Sequence, residues 1–348
     1  MASSHCAPIQ AAAFSKNSLI HICKDPGKQR QLWEKYLPKN SLFDLWPVRQ
    51  CFDRQYKHPS EFYILEEDGK TTGMLPLSWI EEERCYGFFP GELWKGKTWL
   101  EQNRIVSPGP DVTKALLERV EEPFHLRYLS PECITGLDFV EKKIGCGVDE
   151  TGYLFFPPKY DYRYDKYQGE FSNRTRKKIT KELSLLESYG AVLKLGRFSD
   201  VDKLFQMNLG SFKEDSYFYD KRFLKSFIAL AEWLKKNGML VVTTLFIGKR
   251  IAAVDIGAVW NSQYTVLAGG NSLEFPGAAK FINFHHIRWA CQKKFSLVDF
   301  LCGEFAWKDR FHLAPRALYA LDTLPRNIPG KSPKLIAMSN RRVSNDGA

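Results

Sequence analysis

The chain has 348 residues, of which 44% are hydrophobic and 26% charged, so it contains enough apolar material for a large folded core. This composition excludes the disordered, collagen-like and low-complexity classes, and the length fits two domains of ~100–200 residues. Charge is divided unevenly, because the first 170 residues carry a net −3 and the rest a net +13. The basic half predicts an anionic partner (nucleic acid, a lipid surface or a phosphate-rich cosubstrate) or a surface bias without a partner.

Three absences in the sequence bear on location and metal binding. No apolar run reaches the ~18 residues of a membrane span, and no basic segment precedes an apolar stretch at the N-terminus. None of the eight cysteines has CxxC spacing. We therefore expect a cytoplasmic protein with reduced cysteines, no transmembrane segment and no metal site.

Short elements are predicted along the first half. The Asp-Gly pair at 68–69, between two apolar runs, predicts a β-hairpin. The predicted elements are helix Gln29–Leu37, strands Phe62–Leu65, Thr72–Ile80 and Cys85–Phe89, helix Val112–Val120, strand His125–Leu129, helix Leu137–Lys143 and strand Tyr153–Phe156.

The second half opens with a long predicted helix, Asn173–Tyr189, with Ser172 as its N-cap and Gly190 at its C-terminus. The elements predicted after it are strand Val192–Leu195, helices Val201–Leu209 and Arg222–Lys236, strands Met239–Phe246, Ile251–Trp260 and Gln263–Ala268, helix 278–293, strand Leu297–Leu301, helix Trp307–Leu313 and strand Leu318–Thr323.

Both halves follow the same order of elements, which predicts an internal duplication. A shift of 179 residues places Gly69-Lys70 on Gly248-Lys249 and Gly91 on Gly270. A repeat this long indicates a pair of domains rather than a solenoid. The predicted division is a flexible tail (1–16), a first domain (17–165), a connecting basic helix (166–190), a second domain (191–325) and a mobile tail (326–348).

Several motifs of the second half resemble one family. Gly248…Ala253, Pro276-Gly277 and Asp299-Phe300…Gly303…Trp307-Lys308 resemble, in order and spacing, the tandem GNAT fold of FemAB-like and cellulose-biosynthesis-type acyltransferases. The resemblance covers residues 40–320, and the first half, through Asp68–Leu77, resembles a degenerate first copy. It implies an α/β (α+β) fold of two tandem GNAT-like domains, each with a mixed, mostly antiparallel sheet flanked by helices.

Two departures from the family pattern concern the late lysine and the donor. Trp307 stands where a Tyr is usual, and the Arg/Gln-x-x-Gly-x-Gly/Ala fingerprint of acyl-CoA binding is absent before helix 278–293. The resemblance implies acyl-CoA, with acetyl-CoA favoured, as cosubstrate. FemAB proteins use aminoacyl-tRNA instead, so tRNA stays open as a partner.

The donor's phosphates are expected at the N-terminus of helix 278–293, where free N–H groups and the helix dipole favour anions. Small residues there allow close approach, and Lys280 adds charge. A plain loop and helix start is the other interpretation. Gly269 and Gly270 could let a ligand approach the backbone or simply turn the chain. The predicted cofactor-binding residues are Gly269, Gly270, Pro276, Gly277, Ala278, Ala279 and Lys280.

Lys308 is the strongest single catalytic candidate, since the resemblance implies a lysine that neutralises charge on the donor or transition state. Glu304 is the nearest carboxylate that could accept the amine proton, or it pairs with Lys308 or Arg310. Asp299 lies in an apolar strand, so it either borders the catalytic gap or caps a loop. Asp255 poses the same question, and for both the structural role is favoured.

Two further segments are candidates for substrate contacts. Residues 88–104 are dense in Trp, Gly and polar groups, which suits recognition of a polar acceptor or an Ω-like loop that packs on itself. The predicted substrate-binding residues are Trp94, Trp99, Asn103, Arg104 and Trp307. The basic run on helix 173–189 predicts either RNA contact or a solvated face.

The sequence therefore predicts an N-acyltransferase that moves an acyl group from acyl-CoA to an amine by direct attack, without an acyl-enzyme. The acceptor is an amino sugar, an amino acid or a cell-envelope precursor. An aminoacyl-tRNA-dependent transferase of FemAB type is the first alternative, and a catalytically inactive GNAT-fold binding protein is the second.

Overall fold

The computed structural model describes residues 18–137, 144–303 and 307–323, without the side chains of Trp307 and Asp309. The predicted helix Leu137–Lys143, both predicted tails, Glu304 and the side chain of Trp307 lie wholly or mainly outside the described residues. No helix in the described ranges has both the length and the apolarity to cross a membrane.

Nine elements form the first half, besides short 3-10 turns. They are β1 (Ser18–Cys23), α1 (Pro26–Tyr36), α2 (Trp46–Tyr56), β2 (Ser60–Glu67), β3 (Lys70–Ile80), β4 (Cys85–Phe88), α3 (Pro110–Glu118), β5 (His125–Leu129) and β6 (Gly145–Phe155). Strands β1–β4 form an antiparallel sheet in chain order. α1 starts where Asp25 caps the Lys28 N–H and Pro26 occupies the first helical position.

The second half contains α4 (Tyr164–Gln168), α5 (Asn173–Ser188), β7 (Ala191–Leu195), α6 (Val201–Phe212), α7 (Lys221–Lys236), β8 (Leu240–Ile247), β9 (Arg250–Trp260), β10 (Gln263–Asn271), α8 (Ala278–Lys293), β11 (Leu297–Cys302), α9 (Trp307–Arg310) and β12 (Ala314–Asp322). Ser172 caps α5 as predicted, through the Thr175 N–H. Asp220 caps α7 through the Arg222 N–H.

The two halves exchange their last strands. The larger sheet has the order β5-β12-β6-β11-β10-β9-β8-β7, so β12 of the second half lies between two strands of the first. In return, β6 of the first half pairs with β11, with Phe155 opposite Val298. β6 and β12 also pair with each other along nine residue pairs, Ala314↔Leu154 through Asp322↔Gly145. One continuous sheet therefore joins both halves.

The hairpin registers support the duplication but correct its alignment. β2–β3 and β8–β9 each contain an irregularity at the same place, after Leu65 and after Leu245, which are 180 residues apart. The expected shift of 179 is wrong at this hairpin, because it aligns the Gly-Lys pairs of two turns that differ by one position. Glu67 pairs with Lys70, whereas Ile247 pairs with Arg250.

Each half contains one parallel strand contact followed by divergence. β4 touches β5 at a single parallel bridge, Tyr86 to Phe124, and β10 pairs with β11 through Tyr264 and Val298. This repeated mixed sheet flanked by helices confirms the predicted fold class.

The halves also share a hydrophobic core. Phe52 of α2 contacts Phe223 of α7 with ring centroids 5.6 Å apart, and both side chains are buried. Leu301 of β11 belongs to the same cluster. The packing of α2 against α7 therefore places the 89–104 loop of the first half beside β11 of the second.

Candidate active site

A gap opens where β10 and β11 diverge. The strands are parallel for only three residue pairs, Gln263–Thr265 with Leu297–Asp299. Beyond them, Val266–Asn271 and Phe300–Cys302 are not paired with each other, and we call the space between these segments the β10–β11 gap. In open sheets, ligands bind where neighbouring strands separate at their carboxyl ends.

Local backbone distortions shape both walls of the gap. β10 changes register between Val266 and Ala268, which leaves Leu267 as a bulge. β11 changes register between Asp299 and Cys302, and Leu301 there adopts φ +57°. Bulges of this kind turn a strand away from its neighbour.

Lys308 supports the bend in β11. It is 2% exposed, and its Nζ donates hydrogen bonds to the three successive carbonyls of Phe300–Cys302 at 2.8–3.0 Å. Burial lowers the pKa of Lys308 to about 8, against the opposing effect of Glu101. This geometry corrects the expectation that Lys308 contacts the donor directly, since its ammonium group is committed to the backbone of the gap wall.

An ionic cluster of Glu101, Asp299 and Arg316 joins the halves beside this bend. Arg316 Nη2 donates to Glu101 Oε2 at 2.9 Å, and Nη1 donates to Asp299 Oδ2 at 2.6 Å. Glu101 Oε1 accepts the Cys302 N–H at 2.6 Å. Asp299 Oδ1 accepts the Leu301 N–H at 2.9 Å. Both carboxylates are at most 3% exposed, so the first half supplies a buried charge to the gap of the second.

Glu101 is the carboxyl group of the ionic cluster with an altered affinity for protons. Burial raises its pKa, Arg316 opposes the rise and Asp299 adds to it. A raised carboxyl pKa beside a lysine with a lowered pKa is the pattern that enzymes use for proton transfer near neutral pH. Asp299, a predicted catalytic residue, is hydrogen-bonded by Arg316 and by Gln102 Nε2 and shapes β11.

The N-terminus of α8 lies at the side of the gap. Gly277 precedes it with φ +90°, and no side chain caps the helix. Pro276, Gly277 and Ala279 are exposed, whereas Ala278 is buried. Lys280 forms an ion pair with Glu182 of α5, so its charge is already balanced within the protein.

The glycines of β10 are explained by neighbouring protein atoms. A Cβ at Gly270 would lie 2.6 Å from the Leu204 carbonyl oxygen of α6, and a Cβ at Gly269 would overlap Asp255 Oδ1. Neither glycine has positive φ, which removes the expectation that they turn the chain. Their contacts are with α6 and Asp255.

Substitution of Gly270 tests this packing. We expect Gly270→Ala to lower the free energy of unfolding by ~1–3 kcal/mol, because α6 must shift to admit the methyl group. Gly210→Ala is the matched control, since a Cβ there meets no atom within 4 Å, and it should be neutral or stabilise α6 by up to ~1 kcal/mol. Urea denaturation measures both; equal stabilities of the two variants would contradict the packing argument.

Most of the predicted acceptor residues serve the fold. Trp99 is buried and stacks on Phe52 at 5.6 Å, which corrects its assignment to an accessible binding loop. Arg104 pairs with Asp44 and Glu132. Asn103 is buried, and its Nδ2 donates to the Arg127 carbonyl at 2.7 Å.

The 89–104 loop is organised around a buried carboxylate. Glu92 accepts hydrogen bonds from the Thr98 hydroxyl and from the N–H groups of Trp99 and Leu100, at 2.5–2.6 Å. This confirms the loop that packs on itself. Trp94 remains half-buried against Tyr219, with ring centroids 6.2 Å apart, and stays a prediction as an acceptor contact.

Sequence reasoning missed Glu101 and Arg316. Glu101 lies inside the polar segment that was singled out, but its partners are more than 200 residues away. Glu304 and the side chain of Trp307 lie outside the described residues. Within the described ranges, no group of three or more metal-binding side chains comes together.

Residues 173–309 match the family model described as an acetyltransferase (GNAT) domain. The matched stretch runs from α5 to α9 and contains the β10–β11 gap, the α8 N-terminus and Lys308. The chain accordingly carries an acyltransferase domain of GNAT type. No curated protein matches the chain.

Solved structures resemble nearly the whole chain. A conserved protein of unknown function from Bacteroides thetaiotaomicron has a TM-score of 0.57 at 10% identity, covering 87% of this chain and 99% of its own. FemX has a TM-score of 0.54 at 10% identity, with coverages of 88% and 97%. L-PGS from Bacillus licheniformis has a TM-score of 0.54 at 10% identity, with coverages of 86% and 92%. At this identity the likeness is one of fold.

Proposed function

We propose that this protein transfers an acyl group from acyl-CoA to an amine by direct attack, with an amino sugar, an amino acid or a cell-envelope precursor as acceptor. One observation carries the proposal: the matched GNAT domain contains a gap between diverging parallel strands with an exposed, uncapped helix N-terminus at its side. The proposed location is the cytoplasm, where CoA thioesters and reduced cysteines coexist.

The α8 N-terminus fits the donor's phosphates. Its first N–H groups face solvent beside Gly277, and the dipole of a 16-residue helix favours an anion there. A Cβ at Gly277 would meet only Leu186, at 3.6 Å, so the space above the backbone is open. Because Lys280 is paired with Glu182, the backbone N–H groups are the main anion donors and Lys280 assists them.

Transfer of the acyl group requires a neutral amine held against a polarised carbonyl. The donor supplies the activated acyl group as a thioester. Glu101, with a pKa raised by burial, is the described carboxylate best suited to take the proton that the amine loses. Lys308 and Arg316 hold the backbone and carboxylates of the gap wall in place.

The chemistry at Cys302 supports direct attack. Cys302 lies in the gap wall, but burial raises the pKa of its thiol above the ordinary value. A neutral thiol is a poor nucleophile, so an acyl-cysteine intermediate is disfavoured. The attacking group is therefore the acceptor amine itself.

Calorimetric titration with CoA, acetyl-CoA and tRNA tests the donor. We expect CoA and acetyl-CoA to bind, and Lys280→Glu to weaken their binding about tenfold, because it places a carboxylate beside Glu182 at the α8 N-terminus. Lys249→Glu is the matched control, as it makes the same charge change at the exposed β8–β9 turn. Tight, salt-sensitive tRNA binding without a response to CoA would contradict the proposal.

An aminoacyl-tRNA donor is the second candidate, favoured by one feature of α5. Its basic residues are all exposed, so the helix presents a positive surface to solvent; they are Arg174, Arg176, Lys177, Lys178 and Lys181. Under this alternative, Lys177→Glu with Lys178→Glu should abolish tRNA binding and reduce its salt dependence. Under the acyl-CoA proposal, the same variant should bind CoA like the wild type.

A further inference from the structure

A chain of three buried polar side chains lies under α8, apart from the ionic cluster. His286 Nε2 lies 2.9 Å from Asp255 Oδ2, and His286 Nδ1 lies 3.4 Å from the Tyr264 hydroxyl. His286 and Tyr264 are 0% exposed and Asp255 is 7% exposed. These residues come from α8, β10 and β9, so the chain links the helix to both strands beside the gap.

The partners assign the protons along this chain. Burial keeps the pKa of Tyr264 well above its ordinary value, so its hydroxyl donates to His286 Nδ1. His286 Nε2–H then donates to Asp255 Oδ2. Among the described residues, Asp255 Oδ1 has no hydrogen-bond partner. One carboxylate oxygen is thus anchored and the other is available.

Two glycines in the strands make room for this arrangement. A Cβ at Gly269 would overlap Asp255 Oδ1, and a Cβ at Gly257 would overlap the Tyr264 ring. Glycine inside a strand costs ~0.5–1 kcal/mol relative to alanine, and buried polar groups add a desolvation cost. The sequence bears these costs to hold a carboxylate oxygen over β10.

The position of Asp255 Oδ1 points to a ligand in the gap. Gly269 belongs to the segment of β10 that forms one wall of the gap, so Oδ1 lies over that wall on the α8 side. The β2–β3 hairpin of the first half carries Leu75 and Leu77 where the second half has Asp255 and Gly257. The polar chain therefore occurs only in the half that matches the GNAT domain.

We propose that Asp255 Oδ1 accepts a hydrogen bond from an amide N–H of the donor's pantetheine arm, while His286 and Tyr264 hold the carboxylate in place. This inference rests on the proposed use of acyl-CoA. The pantetheine arm must cross the gap between the phosphates at the α8 N-terminus and the reacting carbonyl. It carries amide N–H groups, and a desolvated carboxylate is a strong acceptor for them.

Calorimetry separates this contact from the rest of the donor. Asp255→Asn is expected to weaken CoA binding about ten- to hundredfold, because the His286 N–H holds the amide oxygen and leaves an NH2 group facing the gap. Binding of 3′,5′-ADP, which lacks the pantetheine arm, should be unchanged in the same variant. Gly269→Ala, whose methyl group displaces Oδ1 without a charge change, should reproduce the selective loss.

Asp200→Asn is the matched control, since Asp200 is equally buried but pairs with Arg197 and Thr244, away from the gap. It should bind CoA like the wild type. If the wild type binds CoA and Asp255→Asn binds it equally well, the inference is wrong and the proposed function stands. If the wild type does not bind CoA at all, the proposed function itself fails. Equal weakening of CoA and 3′,5′-ADP would also overturn the assigned contact.

Discussion

Replacing Lys308 by Met is expected to lower the free energy of unfolding by ~3–5 kcal/mol. Met preserves the length of the side chain but leaves the carbonyls of Phe300–Cys302 without their donor. It also removes the positive charge beside Glu101 and Asp299, which stay buried. Guanidinium denaturation near neutral pH measures the loss. Because the bend in β11 depends on Lys308, affinity for CoA should fall as well.

The matched control is Lys280→Met, which removes a half-exposed lysine paired with Glu182. It should cost less than ~1 kcal/mol, as exposed ion pairs usually do. Losses of similar size in the two variants would show that Lys308 does not hold the gap wall.

The lowered pKa of Lys308 adds a pH signature to this prediction. Between about 8 and 10.5, the unfolded chain keeps the Lys308 proton while the folded protein has released it. Stability contributed by this group therefore rises with pH across that window. The slope should be present in the wild type and absent from Lys308→Met.

Arg316→Met is the second variant with a large expected effect, again ~3–5 kcal/mol of unfolding free energy. Arg316 is the shared partner of Glu101 and Asp299, and its removal leaves two buried carboxylates facing each other. Arg250→Met is the control, because Arg250 pairs with Glu274 on the surface with both side chains about two-thirds exposed. That variant should change stability by less than ~1 kcal/mol.

The sign of the pH dependence follows from Glu101. Its pKa is raised in the folded protein, so above the ordinary value of 4.5 the folded state binds more protons than the unfolded state. Stability from this group therefore falls as pH rises. Since Arg316 holds the pKa down, Arg316→Met should steepen the fall and extend it to higher pH. Adding Glu101→Gln should flatten it; an unchanged slope in the double variant would exclude Glu101 as its source.

Local signals in the sequence predicted much of the fold. The Asp68-Gly69 turn, the Ser172 cap of α5 and the paired order of elements all appear in the structure. β1 was missed because it is an edge strand in which Leu19 and Ile22 are exposed, so apolar residues do not alternate with burial. α2 was missed because Pro47 looks like a break, although proline is compatible with the first turn of a helix.

The site was less predictable, because its partners are distant in the chain. The motif around Lys308 drew attention to the correct end of β11. No spacing rule could show that Glu101 reaches the Cys302 N–H or that the Lys308 ammonium bonds to the strand. Asp255 and Gly269 were each noticed alone, and only the register of β9 on β10 places the carboxylate over the glycine.

The exchange of β6 and β12 has a consequence for biosynthesis. β12 is the last strand described, yet it lies between β5 and β6, which are made long before it. On the ribosome, the nascent first half must therefore wait with an unfilled slot between two of its own strands until residues 314–322 have emerged. Chain elongation sets the time for which that slot is open, and in this interval the exposed strand edges are targets for chaperones.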